Sequence, residues 1–386
     1  MKINWNDIRE RQFPALKNIT HLKAAGGSPI SMSAYQSGVK YFKEMLNYGD
    51  VLWDQYFDEL NVARTKIAKY FYSKPSEIAF LINTSSSMNL IARLLIVGDI
   101  LYPEGEFPAS IHIFKRLQFH CRKIGHSNFR YLIEDFKRAI NENSKFIIHS
   151  HVQYLTGFRQ DLKKLGDLCK KYDIKNIINA TQSFGAFPIK VGEYNIDILV
   201  ASALKWACCG YGIGILYINE RIIEENDLPF SSWLSVHNAF SMDNDNLDLI
   251  KKTQSMDGLG GTPNFPALLT LKGGLQLIED IGRGDIHAGI NAIHNRIIHL
   301  TSEFISQLKE LNYKIITPLE IENRSGIITV EHNKAPLIYE ELVKNNIYIS
   351  LRNYPNSQEK TLLRFSFHYY NNLGDIDKTI SVLKRF

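Results

Sequence analysis

The chain is short of cysteine, with Cys121, Cys169, Cys208 and Cys209 the only four in 386 residues. So few thiols cannot build a disulfide-stapled scaffold, and they suit a reducing compartment. Long apolar runs are missing too. The longest, residues 90–102, is interrupted by Arg93 and Asp99 and falls short of the roughly 20 residues that a membrane-spanning helix needs. The first ten residues hold no apolar stretch of the kind a signal peptide carries. Nor does charge of one sign accumulate: 45 Lys+Arg stand against 40 Asp+Glu, a net +5. The basic residues are scattered, whereas a nucleic-acid binder gathers them on one face or in a tail. Repeats and biased tracts are absent, which excludes collagenous, coiled-coil and disordered chains. The expectation is a globular cytoplasmic protein that binds neither nucleic acid nor membrane.

What is present is an ordinary globular composition, 45% hydrophobic and 22% charged. The length suits one large domain with a smaller one attached. Short β-rich runs at residues 78–82, 145–151, 175–179, 197–201 and 212–218 alternate with helical patterns at 88–95 and 160–171. Such alternation predicts βαβ units, hence an α/β fold with a mostly parallel sheet. Residues 266–311 read as nearly continuous helix, broken near 282–284. Strands near 326–330 and 362–367 and a last helix over 375–385 follow. The predicted division is an N-terminal arm belonging partly to the small domain (1–50), a large ligand-binding domain (51–262), and a linking helix with the small α+β domain (263–386). The Gly- and Pro-rich segment 258–266 is the expected hinge.

Ligands of open parallel sheets bind beyond the carboxyl ends of the strands. Those ends carry Asn83 to Ser87, Ser150 to Gln153, Asn179 to Ser183, and Ser202 to Lys205. Hydroxyls beside helix amides at Thr84 to Ser87 suit a phosphate, though plain N-capping uses the same residues. Lys205 sits among apolar neighbours, where desolvation favours its neutral amine, a nucleophile; a strand-end lysine that reaches back to water is the plain alternative. Other signals fail. The glycines of Gly210 to Gly214 lead into a strand, not a helix. His149 and His151 share a strand face but have no further ligand pattern, so no metal is expected. Asp243 to Asp245 lacks the glycine and distal glutamate of a calcium loop. Cys208 and Cys209 lie near Lys205 but read as structural thiols, and no Gly-x-Ser-x-Gly elbow is present.

Taken together, four segments resemble the class V aminotransferases, pyridoxal-phosphate (PLP) enzymes of fold type I. They are Asn179-Ala180-Thr181-Gln182-Ser183-Phe184-Gly185, Ser202-Ala203-Leu204-Lys205-Trp206 with the glycines after it, Gly261-Thr262-Pro263-Asn264-Phe265-Pro266, and Leu363-Arg364-Phe365-Ser366 with Tyr370-Asn371. The resemblance runs from about His21 to the C-terminus. It implies a large domain with a seven-stranded type of sheet and a homodimer. It makes Lys205 the catalytic lysine, forming the Schiff base with PLP and shuttling the α-proton. Thr84, Ser85 and Ser202 would hold the cofactor phosphate, and Thr262 would reach the partner's cofactor phosphate across the interface. Gln182 would meet the ring hydroxyl, Phe107 would cover the ring face, and Asn179 would face the ring nitrogen. Arg364 would take the carboxylate of a small amino-acid substrate, where a guanidinium fork fits best.

Two positions depart from the family pattern. Most relatives have Asp where Asn179 stands, and Asn supplies no charge to keep the ring nitrogen protonated. Leu204 stands where many members place a His. Also, no cysteine follows Cys209, so the catalytic cysteine of the family's desulfurases is missing. The expected reaction is of aminotransferase type. A lyase or epimerase is the alternative, since Glu106-Phe107-Pro108 resembles the kynureninase-like and epimerase-like branches. A PLP-binding protein with weak or no catalysis is the reading of another class.

Overall fold

The computed structural model describes residues 3–386. Seven strands form the large sheet, in the spatial order Ile78–Leu81, Gly214–Ile218, Ile198–Ser202, Lys175–Asn179, Ser144–Ser150, Asp99–Pro103, His120–Ile124. Gly214–Ile218 runs antiparallel to both neighbours, and the remaining pairs are parallel. The chain is therefore α/β with a largely parallel sheet.

The interior strands are apolar on both faces because helices cover both. Successive side chains of Ile198–Ser202 feed different cores: Leu199 and Ala201 join the cluster holding Ile67 and Leu271, whereas Ile198 and Val200 join that of Ile91 and Phe114. The first layer includes the helices Trp53–Phe71 and Phe265–Ile281, and the second Thr84–Leu94 and Pro108–Arg116. Because Gly214–Ile218 is antiparallel, its first residue shares an edge with the last residues of its neighbours: Gly214 faces both Leu81 and Ser202. Ser150 pairs with Asn179 at the same edge. One rim thus collects Asn83, Ser150, Asn179 and Ser202.

Gly214 has a steric reason to be glycine. A Cβ there would lie 2.8 Å from the Asn83 backbone, so a side chain would push the Asn83 turn off the rim.

The smaller sheet is antiparallel, ordered Ser350–Arg352, Leu362–Ser366, Ile327–Glu331, Lys314–Ile315. Thr20–His21 of the N-terminal arm pairs with Ile347–Tyr348 beside it. The helix Ile286–Glu310 enters two cores, placing Ile290, Ile293 and Ile297 with the large sheet and Leu300, Phe304 and Leu308 with the small one. Residues of Phe265–Ile281 bury their apolar side chains with the large sheet, and Gly273 lets this helix touch the backbone of Met32–Tyr48 closely.

The helix after Ile78–Leu81 begins at Thr84, not at 88, because the Asn83 side chain accepts from the Ser86 amide and turns the Ser/Thr cluster into its first turn. Asp99–Pro103 and His120–Ile124 escape the sequence pattern. The second is an edge strand whose His120, Arg122 and Lys123 read as loop. The segment expected to be a hinge is anchored at its start: Asp257 accepts from Arg64 and from the Phe80 amide, and Arg64 also donates to the Ile78 carbonyl.

Candidate active site

At the rim lies a cleft of about 160 Å³ lined by Thr84, Ser85, Phe107, Asn179, Gln182, Ser202 and Lys205, among others. Seven of the nine residues singled out from the sequence therefore converge. A cavity of that scale holds a six-membered ring. Thr262 is exposed and Arg364 is buried; neither lines the cleft.

Lys205 follows the strand Ile198–Ser202 and places Nζ 5.8 Å from the Phe107 ring centroid. Burial lowers its pKa to about 8, helped by the positive charges of Arg364 and Arg352. An appreciable fraction is then free amine near neutrality, as covalent work on a carbonyl requires. The cause is first the absence of water and second two neighbouring cations.

Phe107 caps the helix Pro108–Arg116 and meets Tyr154 edge to face at 5.3 Å. In the same cleft, the start of Thr84–Leu94 presents the Thr84 and Ser85 amides, which have no carbonyl one turn earlier to bond. Asn83 serves the Ser86 amide and leaves these two to an anion. Thr84 Oγ1 and Thr181 Oγ1 share a hydrogen bond of 2.9 Å. Ser202 is buried beside them.

Gln182 is held at both ends: Nε2 donates to the Ala25 carbonyl at 3.0 Å, and Oε1 accepts from Trp206 Nε1 at 2.9 Å. One N–H remains for a ligand. Asn179 closes its strand, with Oδ1 accepting from the Thr181 amide at 3.0 Å and Nδ2 donating to Ser110 Oγ at 3.0 Å. Beneath it lies Glu106, buried and hydrogen-bonded to Ser110, Ser150 and the Phe107 amide.

Arg364 lies in the strand Leu362–Ser366, with Nη1 2.6 Å from the Tyr154 carbonyl, Nη2 3.2 Å from Ser350 Oγ, and Nε buried without a partner. Arg352 faces the same way two positions along the paired strand. The cleft thus has Lys205 and a helix start in its lining, with the charges of Arg364 and Arg352 felt at the lysine, a setting that suits an anionic ligand.

Sequence reasoning gave no role to Thr181, Tyr154, Ser110, Arg352 or Glu106. Tyr154 sits just past the stretch read after its strand. Ser110 comes from a helix the apolar pattern did not reveal. The one available signal was Glu106, an acid in an otherwise apolar Phe-Pro element. His149 is a core residue, bonded to the Ser150 carbonyl and Asn176. Among the described residues no three ligating side chains gather as a metal site. Cys208 and Cys209 are buried, and burial pushes their thiols up, Cys208 to about 12; such thiols are poor nucleophiles.

The aminotransferase class-V family matches residues 22–379. Among similar proteins, an "Uncharacterized aminotransferase YcbU" of Bacillus subtilis (strain 168) is 22% identical, covering 93% of this chain and 92% of its own. A "Probable cysteine desulfurase" of Pyrococcus abyssi is 24% identical, over 83% and 82%. Among solved structures, an apo cysteine desulfurase from Thermococcus onnurineus NA1 superposes with a TM-score of 0.87 at 20% identity, covering 100% of this chain and 98% of that one.

Proposed function

Because the chain belongs to the class V aminotransferases, PLP-dependent enzymes of fold type I, we propose that it acts on a small amino acid through Lys205 in an aminotransferase-type reaction. The observation that carries this reading is the pairing of a depressed, buried lysine with a helix start and an aromatic face around one ring-sized cleft. PLP, when bound, supplies an electron sink for charge developing at the substrate α-carbon. Lys205 Nζ holds the cofactor covalently and moves the proton at that carbon. Thr84, Ser85 and Ser202 hold the phosphate, Phe107 shields a ring face from water, and Gln182 and Asn179 orient the ring. Arg364 orients the substrate through its carboxylate.

A homodimer in which Thr262 serves the partner's cofactor is part of this proposal. It is supported by the exposure of Thr262 and of large apolar residues such as Leu46, Val51, Tyr211 and Leu247. The division at 262/263 assigns cofactor binding to residues 51–262 and substrate capture to Arg364 beyond it. Four free cysteines support a cytoplasmic setting. Among the described residues no helix is long and apolar enough to cross a membrane.

The test is an absorbance spectrum of the purified protein, then borohydride reduction and peptide mapping. A reduced cofactor mass on the Lys205 peptide, absent in Lys205→Ala, supports the reading; no adduct in excess PLP overturns it. Turnover of amino acids only with a keto acid present supports transamination. Turnover without one transfers the proposal to a lyase or epimerase.

A further inference from the structure

Asn179 is neutral, yet a buried acid lies two hydrogen bonds behind it. The direction of those bonds is determined. The Thr181 amide can only donate, so it fixes Oδ1 of Asn179 as the atom it meets, at 3.0 Å. Nδ2 therefore points at Ser110 Oγ, 3.0 Å away, and donates to it. With that lone pair engaged, the Ser110 proton goes to Glu106 Oε1 at 2.9 Å.

Glu106 is set to receive it. The Phe107 amide donates to Oε1 at 2.9 Å, the Ser150 amide to Oε2 at 2.7 Å, the Ser150 hydroxyl to Oε1 and Gln153 Nε2 to Oε2. Burial raises its pKa above the usual carboxylate value, and these donors hold that rise down. The two backbone amides can only donate, so the cage favours an ionised carboxylate. Among the described residues Glu106 is met by hydrogen-bond donors and not by a cation, and the Ser110 hydroxyl is one of those donors. Inside a protein, aligned hydrogen bonds polarise one another.

We propose that Glu106, acting through Ser110, gives Asn179 the negative polarisation that an Asp would supply directly, so that Oδ1 holds the cofactor's ring nitrogen protonated. Glu106 and Ser110 are positioning residues, since neither touches the ring. The inference rests on the PLP reading above. It makes the neutral residue at 179 one part of a displaced acid, not a mark of a spent site.

The experiment loads the protein with PLP carrying ¹⁵N at the ring and reads the ¹⁵N chemical shift. Wild type is expected near the pyridinium position. Glu106→Gln and Ser110→Ala should each move the signal toward neutral pyridine. Asn179→Asp placed in the Ser110→Ala background should bring it back. Should Glu106→Gln fail to fold, Ser110→Ala decides alone, because alanine suits a helix and leaves Glu106 its other donors. An unmoved signal in Ser110→Ala overturns the relay, as does a neutral-pyridine signal in wild type. If no PLP attaches at Lys205, the cofactor reading falls and takes the relay with it.

Discussion

Arg364 Nη1 donates to the carbonyl oxygen of Tyr154 at 2.6 Å, which fastens the small sheet to the wall of the cleft. Tyr154 in turn packs its ring on Phe107. The guanidinium is thereby held in one place, with Nε buried and without a partner. Replacing Arg364 by Leu should raise KM for amino-acid substrates roughly 10- to 100-fold, the worth of a charged hydrogen bond, with a smaller effect on kcat. Arg364→Lys should not restore it, because one ammonium cannot bond Tyr154 and Ser350 and also face a carboxylate. Steady-state kinetics on the two variants decide this; an unchanged KM refutes the assignment.

Lys205 should destabilise the cofactor-free fold. Its pKa falls from 10.5 to about 8 on folding, so between those values the unfolded chain binds the extra proton and stability rises with pH. Below about pH 8 the penalty is constant and on the order of 3 kcal/mol. Lys205→Met should therefore raise the melting temperature of the apoprotein at pH 7, and the advantage should shrink as pH climbs toward 10. Urea melts at pH 7 and 9.5 measure it. An advantage independent of pH would mean that the amine is not depressed.

Gly214→Ala should injure cofactor binding without touching a cofactor contact. The new methyl would meet the Asn83 backbone, and that turn sets the first amides of Thr84–Leu94. Overpacking of this kind costs about 1–3 kcal/mol. A loss of PLP affinity of roughly 5- to 150-fold is the corresponding outcome, read by titrating the apoprotein with PLP.

Asp257→Ala should destabilise the chain by about 3–5 kcal/mol, since it strands a buried Arg64. The Phe80 amide loses its acceptor at the same time. Replacing both Arg64 and Asp257 with apolar residues should cost less than Asp257→Ala alone. Chemical denaturation of the three variants tests the ordering.

The α/β class, the strands of the large sheet other than Asp99–Pro103 and His120–Ile124, and most of the rim are legible because buried strands are continuous apolar runs and strand ends carry the small polar residues. Lys175–Asn179 begins and ends where its pattern does. The resemblance then supplied roles that spacing alone leaves open, as for Thr84, where capping and phosphate binding use the same hydroxyl. What stayed hidden was hidden for physical reasons. His120–Ile124 wears charges because it is an edge. Ser110 acquires meaning only when its helix brings it under Asn179, 69 positions away. Arg352 matters through a diagonal across two strands, which a linear pattern does not encode.

The helix Ile286–Glu310 is about 37 Å long and is embedded in both cores. It therefore ties the two cores into one packed body. Phe304 rests on Phe365, their centroids 4.9 Å apart, and Phe365 is the chain neighbour of Arg364. The packing behind Arg364 and the packing at Ile297 are thus shared by one helix, and a cavity cut at either place weakens the same strut.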